Sequence, residues 1–325
     1  MRRREFLTIT PAATRLLART RGLFHRGVNF TAEHPEFYGS KGALGMLRRL
    51  PDFGVSSIAL VPYGGSRPGQ PAVRFNPARS WENDAGIRAL AAEARTLGLR
   101  VFLKPQVWTG RGFPGDLDFP RADERRQWFS SYRLFLEHYA RLAAAIGASL
   151  FSVGVEFARL SAHDEHWREL IAAARKIYPG PITYCACQGP EFEQLRFWDA
   201  LDYIGLNNYY PLPDDLSTTG TVRRVEAVQR RFGKPVIFAE AGFASLENCH
   251  RQPWDETPRR ISTGQQARCY EAVFRAFYHK PWFEGVYWWK IGTNGFGGPE
   301  DGSHTPWRKP AMEVIRRWYS GGRRS

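Results

Sequence analysis

Two glutamates, Glu156 and Glu240, each close a short apolar run: Leu150-Phe151-Ser152-Val153-Gly154-Val155-Glu156-Phe157 and Pro235-Val236-Ile237-Phe238-Ala239-Glu240-Ala241-Gly242-Phe243. A charge at the end of a buried strand is costly unless it is solvated, paired or used. Two carboxyls facing one opening have a definite use. Cleaving a glycosidic bond needs one carboxylic acid to protonate the leaving oxygen, and a second carboxylate to attack the anomeric carbon or activate water. Mutual repulsion separates the roles, because it raises the pKa of one member and leaves the other ionised. Either glutamate alone is equally explained as a capping or salt-bridged residue; the pair points to catalysis. Period-two alternation places Phe151, Val153 and Val155 against helices and turns Ser152, Gly154 and Glu156 toward an axis.

Other polar groups stand at comparable positions. Lys104, Gln106 and Trp108 share one parity of a third run, and the first two are awkward core residues. Asn207-Asn208-Tyr209-Tyr210 closes a sixth run and Tyr287-Trp288-Trp289-Lys290 an eighth. Amides and phenols bind sugar hydroxyls, and an indole face stacks on a pyranose ring. Packing explains each aromatic taken singly; their placement beside polar strand ends carries the signal. Metal chemistry has little support. His163 and His166 begin a predicted helix and read as a solvated first turn, His25 and His34 flank the first run, and His304 lies in the last loop. None forms an HExxH run, and there is neither a GxSxG elbow nor a GxxxxGK loop. The expected cofactor and metal content is none.

The elements that position these groups repeat. Apolar or β-branched runs at 27–30, 57–63, 100–107, 150–156, 182–186, 203–208, 235–240 and 285–289 predict eight strands. Helical patterns fall between most of them, at 43–50, 83–97, 124–146, 166–177, 222–232 and 265–278, with a last one at 309–318. Gly54, Gly98, Gly147 and Gly233 sit where helices give way to strands, as C-terminal caps. About 33 residues per repeat is the room that a strand, a helix and two loops need. The expected fold is α/β, a closed (β/α)8 TIM barrel in a single domain. The rival doubly wound sheet would carry a glycine-rich fingerprint after its first strand, and Asn29-Phe30-Thr31-Ala32-Glu33 is not one. The polar segments 62–80 and 242–263 are then long loops at the functional mouth.

The chain has 325 residues, 43% hydrophobic and 24% charged, which suits a folded globular protein and excludes disordered and collagen-like readings. No run of 18 apolar residues exists, so no membrane insertion is expected. Net charge is +14, of which residues 1–21, with six Arg and one Glu, supply +5. The remaining Arg are dispersed over predicted helices, which reads as a solvated surface, and no nucleic-acid partner is expected. Cys185, Cys187, Cys249 and Cys269 lack CxxC spacing. Cys185 and Cys187 alternate along one strand, which permits a buried thiol pair; cysteine usage leaves the redox compartment open. Arg3-Arg4-Glu5-Phe6-Leu7 resembles a twin-arginine export signal with a short apolar segment and no clear cleavage site. The expected organisation is an export segment or basic tail over 1–22, a catalytic barrel over 23–320 and a basic tail over 321–325. The expected location is periplasmic or extracellular, with the cytoplasm as the alternative.

In these residues the chain resembles the retaining (β/α)8 glycosidases whose acid/base and nucleophile end strands four and seven. More closely it is similar to glycoside hydrolase family 113, whose characterised members are mainly endo-β-1,4-mannanases. The resemblance runs from Arg26 to Tyr319. It is carried by Arg26-Gly27-Val28-Asn29-Phe30, the runs ending in Glu156 and Glu240, Tyr287-Trp288-Trp289, and the tail from Asp301 to Ala311. It implies a retaining mechanism with Glu156 as acid/base and Glu240 as nucleophile, acting on β-1,4-mannan or a related polysaccharide or oligosaccharide. Many relatives in the wider superfamily have Asn immediately before the acid/base; Val155 stands here, leaving Asn207 or Asn208 to supply the amide. Tyr209, or nearly equally Tyr210, is expected to hydrogen-bond the nucleophile. Trp289, with Trp108 and Trp288, is expected to form sugar platforms, and Lys104 and Gln106 to hold hydroxyls. The alternatives are a clan member acting on glucan, chitosan or an amino-sugar exopolysaccharide, and an inactive carbohydrate-binding barrel.

Overall fold

A computed structural model describes residues 23–110 and 112–321; the export segment expected over 1–22 and all but the first residue of the basic tail expected over 321–325 lie outside them. Eight parallel strands close into a barrel in sequential order: β1 (His25–Thr31), β2 (Ser57–Leu60), β3 (Arg100–Leu103), β4 (Leu150–Val155), β5 (Ile182–Cys187), β6 (Ile204–Asn208), β7 (Val236–Ala241) and β8 (Phe283–Gly292). Closure is made by β1 pairing with both β2 and β8. This is the (β/α)8 barrel expected from the repeat.

Outside it lie α1 (Lys41–Arg48), α2 (Asp84–Thr96), α3 (Ala122–Ile146), α4 (Asp164–Ile177), α5 (Pro190–Gln194), α6 (Thr219–Phe232), α7 (Thr263–Phe277) and α8 (Pro310–Ser320). Only the single-turn α5 has no counterpart in the sequence pattern. Asn83 caps α2 by accepting from the Gly86 N–H, a side-chain cap that satisfies one orphan donor. Gly54, Gly98, Gly147 and Gly233 all have φ between 65° and 73°, the left-handed conformation in which an added Cβ is strained.

Two packed layers result. Ala59, Phe102, Leu150, Val155, Cys185, Tyr203, Ile237, Ala239 and Tyr287 fill the barrel, while a larger cluster, including Phe151, Val153, Phe238 and Trp288, lies between strands and helices.

The runs expected as single strands at 57–63 and 100–107 are each broken. Pro62 and Pro105 lack the N–H that continued pairing would use. Beyond them the chain leaves the barrel and builds a three-stranded side sheet from Tyr63–Arg67, Gln70–Arg74 and Gln106–Trp108. That sheet is pinned to α3, where Ser131 Oγ both accepts from the Val73 N–H at 2.8 Å and donates to its carbonyl at 3.1 Å.

Candidate active site

Glu156 and Glu240 reach the C-terminal mouth of the barrel through irregular backbone. The β4–β5 register shifts between Ser152 and Val155, and the β6–β7 register shifts between Phe238 and Glu240. Each shift is a β-bulge, which inserts one residue and re-aims those that follow. Simple alternation is therefore corrected on β4. Val155 packs inside the barrel, whereas a Cβ on Gly154 would point outward, 2.6 Å from the Tyr184 ring and 2.8 Å from Trp167. Glu156 itself has φ 55°, a left-handed backbone that a non-glycine residue rarely adopts. On β7, Ala239 lies within the barrel and the following Glu240 still faces the mouth, which strict alternation forbids.

Both carboxyls line one cleft of about 580 Å³ with Tyr63, Gln106, Trp108, Tyr209 and Trp289. Their surroundings differ. Three donors converge on Glu240: Lys104 Nζ and Gln106 Nε2, the latter at 2.9 Å, on Oε1, and Tyr209 Oη at 2.9 Å on Oε2. Lys104 is fully buried and also lies 5.2 Å from the Trp289 ring centroid. Glu156 accepts one hydrogen bond, from Asn207 Nδ2 at 3.0 Å. Desolvation by burial, then the Glu240 charge, hold its carboxyl well above the ordinary carboxylate range; the Asn207 bond opposes them. The cleft thus contains one carboxyl biased toward the protonated form and one ringed by donors.

The sequence-predicted residues separate accordingly. Glu156, Glu240, Lys104, Gln106, Asn207, Tyr209, Trp108 and Trp289 gather at the mouth. Lys104 and Gln106 turn to Glu240 rather than standing free for hydroxyls. Tyr210 is engaged elsewhere, donating to Glu193 and accepting from the Gly189 N–H, so Tyr209 is the phenol on Glu240. Asn208 is buried, with an Oδ1 that has no partner. Trp288 does not join them: it is fully buried on the helix side of β8, stacked on Tyr270 with centroids 3.9 Å apart. Trp288 and Trp289 are neighbours on one strand and face opposite ways. Cys185 and Cys187 form no pair; the first contacts Ser152 inside the barrel and the second donates to the Gln188 carbonyl.

Sequence reasoning missed Tyr63, Phe113, Trp254 and Glu256 as cleft residues. Trp254 was legible as a large aromatic within the polar mouth loop 242–263, and it is half exposed. A clamp holds that loop. His304 Nδ1 faces Glu256 Oε1 and its Nε2 faces the Pro253 carbonyl, both at 2.6 Å. The imidazole hydrogen bond, with the charge behind it, keeps the Glu256 carboxyl down at about 2. Among the described residues, no group of three His, Cys, Asp or Glu is arranged to hold a metal, and no helix is long and apolar enough to cross a membrane.

A closed (β/α)8 barrel with two carboxyls and aromatic walls at the C-terminal mouth is an arrangement that suits a glycoside hydrolase. Residues 29–299 match the model of Glycoside Hydrolase Family 113, and the chain belongs to that family. Its structure is similar to that of the family 113 β-mannanase from Alicyclobacillus acidocaldarius in complex with ManMIm. The identity is 33%, the TM-score 0.87, and the match covers 93% of this chain and 99% of that one. A family 113 β-1,4-mannanase, solved in complex, matches at 27% identity and TM-score 0.83, covering 92% and 100%. The Faecalibacterium prausnitzii β-glucuronidase, at 15% identity and TM-score 0.64, shares the fold over 92% of this chain and 49% of its own. No curated protein sequence matches the chain significantly.

Proposed function

We propose that the enzyme hydrolyses β-1,4-linked mannan or manno-oligosaccharides with retention at the anomeric carbon. The two family 113 structures it matches are a β-mannanase and a β-1,4-mannanase, which supports the substrate. The observation that carries the mechanism is the contrast between the two carboxyls within one cleft. Glu156, biased toward its protonated form, donates to the glycosidic oxygen while Glu240 attacks carbon one. The bond from carbon one to the leaving oxygen breaks as the bond to Glu240 Oε forms. Glu156, now ionised, then takes a proton from water, which displaces Glu240 and restores both groups. This requires carboxyls roughly 5 Å apart. Lys104, Gln106 and Tyr209 fix the attacking carboxylate, and Trp289 and Trp108 offer ring faces to the sugar.

A panel of defined β-linked manno-, gluco- and chito-oligosaccharides, read by product mass and by the anomer first released, tests substrate and stereochemistry together. The β anomer from mannohexaose is expected; first release of the α anomer would overturn Glu240 as nucleophile, and preference for another glycan would overturn mannan. Glu240→Ala is expected to abolish turnover and, by leaving the buried Lys104 ammonium without its carboxylate, to cost about 3–5 kcal/mol of stability. Glu156→Ala is expected to lose most on natural linkages and least on activated aryl glycosides, since acid catalysis contributes about 10²- to 10⁴-fold where the leaving group is poor.

A further inference from the structure

A second buried carboxyl lies behind Glu156. Glu191, in the one-turn α5, is 6% exposed and outside the cleft lining. Its Oε1 accepts from Tyr184 Oη at 2.6 Å and its Oε2 from the Cys187 N–H at 2.7 Å. Tyr184 Oη in turn accepts from the Phe157 N–H at 2.8 Å. Phe157 directly follows the left-handed Glu156, whose own N–H still donates to the Cys185 carbonyl at 2.9 Å. The chain therefore turns out of the β4–β5 ladder at Glu156, and the first N–H past the turn is caught by Tyr184. Gly154 makes this reach possible: the Tyr184 ring occupies the space that a side chain there would need.

We infer that Tyr184 and Glu191 are positioning residues for the general acid. Tyr184 fixes the backbone from which Glu156 projects, and Glu191 fixes Tyr184 and places a second negative charge behind Glu156. This rests on Glu156 being the acid. A rare backbone conformation persists only where its surroundings over-determine it, and small misplacement of a catalytic group is expensive in rate. The groups acting on Glu156 come from every neighbouring element: Glu240 on β7, Glu191 on α5 and Lys104 after β3 by charge, and Asn207 on β6 by hydrogen bond. The Tyr63 and Tyr209 phenols and the Cys187 thiol are also within electrostatic reach. Of the charged groups, Glu191 alone has no separate place in the proposed chemistry.

The test uses the full chain as Tyr184→Phe, Glu191→Gln and Glu156→Ala, each assayed on mannohexaose and on a dinitrophenyl β-mannobioside, with pH profiles of kcat/KM. Tyr184→Phe frees the Phe157 N–H and is expected to lower kcat on mannohexaose about ten- to hundredfold. KM should stay within about twofold and the aryl substrate should lose less. Glu191→Gln removes a like charge and is expected to move the alkaline limb of kcat/KM to lower pH. Unchanged kcat in Tyr184→Phe, or an unmoved alkaline limb in Glu191→Gln, would refute the positioning role. Should Tyr184→Phe not fold, the Glu191→Gln limb decides alone. Equal losses by Glu156→Ala on both substrates would instead refute the acid assignment beneath it.

Discussion

Glu191→Gln should also change how stability responds to pH. Burial raises the Glu191 carboxyl from 4.5 to about 7 against the lowering effect of its hydrogen bonds. Below 4.5 folded and unfolded chains both hold the proton, so the residue contributes no pH-dependent penalty. Above about 7 both have lost it, and the full cost of burying the charge is present. Stability is therefore lost as pH rises through that window, by about 3 kcal/mol at roughly 1.4 kcal/mol per pKa unit. With an unfolding entropy of about 0.6 kcal/mol/K for a chain of about 300 ordered residues, the loss is worth about 5 °C in melting temperature. The assay is the apparent Tm of wild type and Glu191→Gln at half-unit pH steps and one fixed scan rate, since large proteins often unfold irreversibly. Glu82, also raised to about 7 by burial, and Glu156 titrate in both proteins, so the difference curve isolates Glu191 and its effect on Glu156. The variant should gain about 5 °C relative to wild type between the acid and neutral ends. A flat difference curve, or one sloping the other way, would sink the reasoning.

Lys104→Met leaves the buried Glu240 carboxylate with two neutral donors; it should cost about 3–5 kcal/mol of stability at neutral pH and at least about a hundredfold in kcat. Retention of kcat within a factor of two would show that the ammonium has no part in the attack. Trp288→Ala opens a hole beneath Tyr270 and should cost about 3–5 kcal/mol of stability, lowering Tm by about 5–8 °C, without altering the kinetics of the folded enzyme. Trp289→Ala should do the reverse, lowering kcat/KM about tenfold or more with little change in Tm. Trp254→Ala should raise KM for long oligosaccharides while leaving kcat on short ones unchanged; equal KM values across chain lengths would remove Trp254 from the sugar path.

The eightfold alternation and both glutamates were legible in the sequence because strand and helix periods differ and the repeat length admits few closures. The rule that aimed the glutamates was not sound in detail. Alternation turned Glu156 inward by assigning Val155 outward, whereas a bulge and a left-handed residue do the aiming, and neither has a sequence period. The same rule, applied to Trp288 and Trp289, would have separated them, since neighbours on a strand take opposite faces. Pro62 and Pro105 marked where β2 and β3 end, yet not that the chain beyond them would pair again as a separate sheet. The part played by Lys104 was hidden because a lysine in a barrel floor reads as a hydroxyl binder until its partner is seen. Glu191 lies in a single helical turn that the sequence pattern does not show, and its burial is what distinguishes it.

The side sheet has an engineering meaning. Trp108, 63% exposed, ends its third strand, which Gln106 begins with a hydrogen bond to Glu240, while the outer strand of the hairpin is tied to α3. One rim of the groove thereby has two footings, one on the catalytic floor and one on the helix layer. Its turn at Pro68 and Gly69 lies outside the residues that line the cleft, so a longer or shorter version there is expected to leave Glu156 and Glu240 where they are.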